Sequence, residues 1–193
     1  MVGMDASIAL AVWFPDVLCS VDRAKDRVRY LLEDLEERRE RILIPAPALS
    51  EILVRAGAAG AELVNQLSKS ARFEIGDFDT MAAIEVALAI EAAKKAGGKK
   101  VKGSSDTWAK VKFDHQIVAI CKVKQVTTLY SDDPRLCNFA QSTGIHTVSL
   151  ADLPLPPDEP TLFDGLDASA PETEEKERLA LPPSRKITLG DEV

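Results

Sequence analysis

Short apolar runs separated by amphipathic segments divide the first 150 residues of the chain. The runs at residues 1–4, 42–44, 73–75, 126–130 and 146–150 predict five strands. Apolar positions at helical spacing predict helices over residues 6–13, 20–40, 47–56, 59–69, 113–123 and 134–142, and a long alanine-rich helix after Asp79. Strands that alternate with helices in this way indicate an α/β fold, with a central parallel sheet flanked by helices on both faces.

Individual residues mark several of the helix boundaries. Asp79 is a suitable N-cap for the alanine-rich helix, and Gly97-Gly98 is expected to end it. The lysine- and glycine-rich segment that follows, residues 97–107, is expected to be a loop. Pro47 and Pro134 suit the first turns of their helices.

The C-terminal segment has a different composition from the rest of the chain. Residues 151–193 contain seven of the eleven prolines, with eleven acidic and four basic residues, whereas residues 1–150 contain twenty of each charge. The net charge of −7 therefore belongs to this segment alone. We predict a folded domain over residues 1–153 and a flexible, proline-rich acidic tail over residues 154–193. Leu162, Phe163 and Leu166 are the tail's candidate docking residues.

The sequence argues against membrane, secretory and zinc classes of protein. Its longest apolar stretch, residues 6–14, is much shorter than the ~20 residues of a membrane span, and no basic segment precedes it. We therefore expect a cytoplasmic protein with no membrane contact and with reduced thiols. The few cysteines and histidines lack the spacing of a zinc site, so any catalysis is expected to depend on carboxylates. The cysteines are Cys19, Cys121 and Cys137, and the histidines are His115 and His146.

Acidic residues occur where the chain returns to the carboxyl edge of the predicted sheet, the edge at which open parallel sheets bind ligands. Asp5 follows the first strand, and Glu51 lies about one turn into the helix after the second. Asp114 begins a helix, in line with its apolar stripe, while Asp132 and Asp133 follow the fourth strand. Each acid alone could be a helix cap or a solvated residue. Together they would repel one another unless a cation lay among them, and oxygen ligands favour Mg²⁺ or Mn²⁺.

In order and context, these residues resemble the PIN-domain ribonucleases, especially the VapC-like toxins of type II toxin–antitoxin pairs. The matching segments are MDASIAL, IPAPALSEIL, KFDHQIVAI, TLYSDDPRL and IHTVSLADL, which together span about residues 1–153. The resemblance implies a PIN-like three-layer fold in which Asp5, Glu51, Asp114 and Asp133 are the catalytic metal ligands and Ser131 is an auxiliary hydroxyl. Because the aspartate is doubled, Asp132 is the alternative fourth ligand.

The resemblance also implies an activity and its partners. It indicates an endoribonuclease that uses Mg²⁺ or Mn²⁺ to hydrolyse RNA phosphodiester bonds and leaves 5′-phosphate and 3′-hydroxyl ends. The metal ion would neutralise a phosphate oxygen and lower the pKa of a bound water. RNA is the implied substrate, and an antitoxin protein and a second copy of the chain are the candidate protein partners.

A cluster of lysines precedes Asp114. Nine lysines and only two acids lie between residues 94 and 124, which suggests a phosphate-binding rim beside the metal, although a solvated helix end would explain some of them. Trp108 and Phe113 could stack on a base, but we expect Phe113 in the core. The lysines assigned to RNA are Lys99, Lys100, Lys102, Lys110 and Lys112.

Two other functions fit the placement of the acidic and lysine residues less well. A catalytically weak PIN-like module for nucleic-acid binding or assembly, with the tail as its interaction arm, does not require all four acids. A flavodoxin-like phosphotransfer receiver would need an acidic pair directly after the first strand and a lysine after the last. Here Asp5 stands alone and no lysine lies near residue 150.

Overall fold

The computed structural model describes residues 1–14, 21–95 and 108–157, and the strands in these ranges form one parallel sheet. Their order is β3-β2-β1-β4-β5, and each neighbouring pair is parallel. The parallel pairing confirms the predicted sheet, and the strand order differs from the 2-1-3-4-5 order of flavodoxin-like receivers. The strands are β1 (Val2–Met4), β2 (Ile42–Pro45), β3 (Phe73–Gly76), β4 (Thr128–Tyr130) and β5 (His146–Val148).

Helices connect the parallel strands and flank the sheet, as parallel pairing requires. Six of the seven helices in the described ranges lie within about four residues of their predicted bounds, and the described end of α5 is Lys95. The helices are α1 (Ala6–Trp13), α2 (Ala24–Glu37), α3 (Ala46–Ala56), α4 (Gly60–Lys69), α5 (Thr80–Lys95), α6 (Trp108–Val123) and α7 (Pro134–Ser142), with a 3-10 turn at Gly57–Ala59.

The start of α6 corrects one prediction. The helix begins at Trp108, five residues before the predicted start, so Asp114 lies in its second turn and does not begin it. Alanine and lysine, which occur at residues 109, 110 and 112, are both good helix formers and extend the helix toward its N-terminus. The predicted loop over residues 97–107 and the predicted helix end at Gly97-Gly98 lie outside the described residues.

Two of the proposed helix caps are present in the structure. The backbone N–H of Ala82 donates to Asp79 Oδ1 at 2.9 Å, which caps α5. The N–H of Arg135 donates to Asp133 Oδ1, also at 2.9 Å, which caps α7. Asp5 occupies the N-cap position of α1, but its side chain makes no capping hydrogen bond. The Asp5 carboxylate therefore does not cap its helix, in contrast to the carboxylates of Asp79 and Asp133.

The core is built around the first two strands and the middle of α6. Ile42, Leu43 and Ile44 are fully buried, because helices cover both faces of the sheet. At the end of β3, a Cβ atom added to Gly76 would lie 2.6 Å from Ile120 Cγ2 and 3.0 Å from Leu43 Cδ1. A glycine at this position therefore lets α6 lie directly against the sheet.

The described chain continues past β5 along α2. Arg27 Nη1 of α2 donates to the carbonyl of Ala151 at 3.2 Å and to that of Leu153, whose side chain is buried. Met1–Pro156 form one compact unit. The predicted tail lies outside the described residues from Asp158 onward, including the candidate docking residues Leu162, Phe163 and Leu166.

The structure describes two of the three cysteines and the helices that could be compared with a membrane span. Cys121 is a buried free cysteine, and burial raises the pKa of its thiol to about 12. Cys137 is a half-buried free cysteine, and Cys19 lies outside the described residues. In the ranges that the structure describes, no helix is both long and apolar enough to cross a bilayer.

Candidate active site

Four carboxylates line one cavity at the carboxyl edge of the sheet. Asp5 follows β1, Glu51 lies on α3, Asp114 on α6, and Asp133 caps α7. The cavity has a volume of about 310 Å³. The structure therefore brings together the four acids that the sequence placed at this edge. Its lining is completed by Phe113, Ile117 and Leu136.

Strand register brings the first and fourth strand ends together. Met4 of β1 pairs with Tyr130 of β4, and the N–H of Asp5 donates to the carbonyl of Tyr130 at 3.0 Å. The residues that immediately follow these two strands, Asp5 and Ser131, are consequently neighbours although they are 126 positions apart.

Two hydroxyl groups hold the Asp5 carboxylate in place. Ser131 Oγ donates to Asp5 Oδ2 at 2.9 Å, and Ser7 Oγ donates to the same oxygen at 3.2 Å. Each hydroxyl oxygen also accepts a backbone N–H: Ser131 from Asp133 at 3.1 Å, and Ser7 from Asp132 at 3.0 Å. The β4–α7 turn thus orients Asp5 through two separate relays, an arrangement that fixes a carboxylate before a ligand binds.

Burial makes the negative charge of Asp5 unfavourable. Burial raises the pKa of the Asp5 carboxyl above its ordinary value of 3.8, and it outweighs the nearby Ala6 amide and the Ser131 hydroxyl, which act to lower it. None of the described residues lining the cavity has a cationic side chain. A bound cation would offset this buried negative charge.

The chemistry of the donors fits a hard divalent ion. The cavity lining offers four carboxylates and neither sulfur nor imidazole, which is the preference of Mg²⁺ and Mn²⁺. Among the described residues, no three His, Cys, Asp or Glu side chains are grouped closely enough to hold a metal ion.

The doubled aspartate divides between two environments. Asp133 lines the cavity with the other three carboxylates. Asp132 is exposed, and its Oδ1 accepts the N–H of Leu150 at 2.7 Å, so it connects the β4–α7 turn to the segment after β5. Asp133 is therefore the member of the pair that shares a cavity with the other three carboxylates, whereas Asp132 contacts the segment after β5.

Separate substitutions of the two aspartates test this assignment. We expect Asp133→Asn to weaken Mg²⁺ binding at least ~10-fold, because it removes a charged ligand while asparagine remains a good N-cap for α7. Asp132→Asn keeps an acceptor for the Leu150 N–H and should change Mg²⁺ affinity less than twofold. Titration calorimetry with Mg²⁺ measures both. A greater loss of affinity at Asp132 would show that the two aspartates have been assigned in the wrong order.

The predicted basic rim lies partly outside the structure. Lys112 is exposed on α6, two residues before Asp114. Lys99, Lys100 and Lys102 lie outside the described residues, as do the side chains of Lys110 and Trp108. The first three stay predictions as RNA-binding residues, together with Lys110 and Lys112.

Phe113 corrects a second prediction. Its side chain is 41% exposed and lines the carboxylate cavity, so the expected core position is wrong. The buried face of α6 is supplied one turn later by Ile117 and its successors. Phe113 is instead an aromatic side chain at the mouth of the candidate site.

The sequence interpretation missed two residues near the site. Ser7 stands two positions after Asp5, where a hydroxyl in the first turn of α1 can reach back to the N-cap residue, and this spacing could have indicated its role. Arg135 lines a second cavity beside Asp133, and no sequence pattern marks it.

His115 has a packing role. Its ring packs edge-to-face on Phe139 with the ring centres 4.3 Å apart, and burial lowers its pKa.

The comparisons with known proteins agree at the level of fold. The chain matches no protein-family model and no curated protein sequence. The solved structure of VapBC2 from Rickettsia felis, bound to a DNA fragment from its promoter, aligns with a TM-score of 0.52 at 17% identity, over 77% of this chain and 98% of that chain. VapBC-1 from nontypeable Haemophilus influenzae aligns with a TM-score of 0.50 at 13% identity, over 78% and 98%. The PIN-like fold expected from the motifs is confirmed.

Proposed function

We propose that the chain is an endoribonuclease that uses Mg²⁺ or Mn²⁺ to hydrolyse RNA phosphodiester bonds. The observation that carries the proposal is the single cavity lined by Asp5, Glu51, Asp114 and Asp133, with Asp5 buried and its carboxylate oriented in advance. The fold is shared with VapBC structures, and the motifs that resemble PIN-domain ribonucleases supply these same acids.

Each part of the lining has a role in this chemistry. The four carboxylates would hold the metal ion, which supplies charge neutralisation at a phosphate oxygen and a more acidic water. Ser131 and Ser7 keep Asp5 in position, and a cavity carboxylate can accept a proton from the attacking water. Ile117 and Leu136 provide apolar walls, which lower the local dielectric and strengthen these electrostatic interactions.

Substrate binding would use the groups around the mouth of the cavity. Phe113 offers an exposed aromatic face on which a base can stack, and Lys112 is the described member of the predicted phosphate-binding rim. In-line attack by water does not need the 2′-hydroxyl, so the preference for RNA rests on the family resemblance. Parallel assays with RNA and DNA of the same sequence test that preference.

Metal removal and replacement test the activity directly. The full chain should cleave RNA in Mg²⁺ or Mn²⁺ to give 5′-phosphate ends, lose activity in EDTA, and regain it when the metal is restored. Mg²⁺ should also raise the unfolding temperature, because a ligand that binds only the folded state adds about 2.7 kcal/mol at 100 times its Kd. RNA binding without cleavage at any metal concentration would instead support the catalytically weak binding module.

Protein partners follow from the same resemblance. The matched structures are of VapBC, and we propose that an antitoxin partner binds this chain and suppresses cleavage. A small DNA-binding protein encoded beside this chain should copurify with it, and full activity in its presence would contradict the toxin role.

A homodimer could use the exposed apolar row of Met81, Ile84 and Leu88 on α5. Light scattering at micromolar concentration would identify a dimer, and a monomeric mass would contradict it.

A further inference from the structure

A second cavity borders the first at the carboxyl edge of the sheet. It has a volume of about 490 Å³, and Asp133 belongs to the linings of both cavities. It is a shallow depression that is open to solvent, so a polymer strand can enter it from the side. A strand that places a phosphate at the four carboxylates can therefore continue past Asp133 into the second cavity. Its other lining residues are Ser7, Asp132, Pro134 and Arg135.

The two cavities differ in charge. Among the described residues that line either one, Arg135 has the only cationic side chain. Its backbone is fixed at the start of α7, because its N–H donates to Asp133 Oδ1 at 2.9 Å. Guanidinium groups bind phosphate oxygens through paired N–H donors, and their positive charge offsets the repulsion between a carboxylate-rich site and a polyanion.

Asp132, the acid that lines only the second cavity, can accept hydrogen bonds. The N–H of Leu150 donates to Asp132 Oδ1 at 2.7 Å, and Ser7 Oγ is engaged by Asp5 and by the Asp132 N–H. The negative charge of Asp132 repels a nearby phosphate, but its oxygens can accept a hydrogen bond from a sugar hydroxyl. The guanidinium group of Arg135 can instead bind the phosphate. The lining therefore offers complementary groups to one nucleotide.

We propose that the second cavity binds the nucleotide next to the cut phosphodiester and that Arg135 binds the phosphate of that nucleotide. This inference rests on the proposed nuclease function and assigns a substrate subsite to it. Arg135 is a substrate-binding residue that positions the strand, and it takes no part in the chemical step. The substrate must accordingly extend at least one nucleotide beyond the bond that is cut.

Salt-dependent RNA binding tests the subsite without cleavage. The probe is a fluorescent single-stranded RNA of about ten nucleotides, bound in EDTA by the full chain carrying Asp114→Asn. Adding Arg135→Gln should weaken binding about tenfold at low salt and reduce the log–log salt slope by roughly 0.7, the value for one lost phosphate contact on a single strand. Arg135→Lys should keep the slope, because it keeps the charge.

A matched control separates a local contact from a general loss of charge. Arg29 on α2 has a side chain that is 66% exposed and lies outside both cavity linings. Arg29→Gln should leave the slope unchanged. An unchanged slope for Arg135→Gln, or an equal reduction for Arg29→Gln, would overturn the subsite. The unfolding temperature of each variant verifies folding, and the α7 cap is retained because it uses only the backbone N–H of residue 135.

The kinetic result in the active chain should agree with the binding result. Arg135→Gln should raise KM about tenfold with little change in kcat, because the lost contact is made equally in the ground state and the transition state. An equal fall in kcat with KM unchanged would contradict a binding role. Failure of the nuclease proposal has a separate signature, since the unaltered chain would then cut no RNA in Mg²⁺ or Mn²⁺, whatever its salt slope.

Discussion

Asp5→Asn and Asp114→Asn are each expected to lower the rate of RNA cleavage at least ~1,000-fold with the fold retained. Each change removes a negative ligand and keeps the shape of the side chain, and an amide oxygen at position 5 still accepts from Ser131 and Ser7. A 1,000-fold loss corresponds to about 4 kcal/mol, which is the size of the charge stabilisation that a catalytic metal supplies. Single-turnover cleavage at saturating Mg²⁺ measures the effect.

The control for this experiment is an acid outside the cavity. Glu62 on α4 is exposed and accepts a hydrogen bond from Gln66, so Glu62→Gln makes the same change of charge far from the lining. Its cleavage rate should stay within twofold of the unaltered chain. Undiminished cleavage by the Asp5→Asn protein would contradict the nuclease assignment.

Asp5→Asn should also make the metal-free protein more stable. The substitution removes a buried carboxylate whose raised pKa reflects the cost of burying its charge. A gain of about 1 kcal/mol, or about 2–4 °C in Tm, is typical when an unfavourable functional group is neutralised. The increase in Tm on adding Mg²⁺ should largely disappear. A lower metal-free Tm would show that nearby groups already compensate the Asp5 charge.

Gly76→Ala is expected to reduce the free energy of unfolding by about 1–3 kcal/mol, the usual cost of overpacking a core. The added Cβ would lie 2.6 Å from Ile120 Cγ2 and 3.0 Å from Leu43 Cδ1, so α6 must move away from the sheet. Because α6 also carries Asp114, we expect the Mg²⁺-dependent increase in Tm to shrink in the same variant. Urea unfolding and thermal unfolding with and without Mg²⁺ measure the two effects.

A second glycine provides the matched control. Gly60 has φ −60° and ψ −40°, and an added Cβ would lie 3.2 Å from Leu53 Cδ2, which is the end of a flexible side chain. Gly60→Ala should therefore be neutral or stabilise the protein by up to ~1 kcal/mol. Equal stabilities for the Gly76→Ala and unaltered proteins would mean that the contact between β3 and α6 tolerates a methyl group.

The sequence by itself determined the sheet and the set of acids at its edge. A strand that is buried on both faces must be nearly continuous in apolar residues. The run Ile42-Leu43-Ile44 therefore predicts a buried strand without any knowledge of the strands that pair with it. Parallel strands share one carboxyl edge, and an acid that follows a strand, such as Asp5, must lie at that edge. The same local logic identified the caps Asp79 and Asp133, because a cap bonds to the chain two or three residues away.

Only the tertiary structure decided how the residues at that edge are oriented. The sequence could not separate the environments of Asp132 and Asp133, because these differ through the Leu150 N–H, which is close to Asp132 only when β5 lies beside β4. Arg135 acquires its proposed role from a cavity whose walls come from α1, from the β4–α7 turn and from the start of α7. Local propensity describes each segment alone, whereas these contacts depend on the strand register that brings distant segments together.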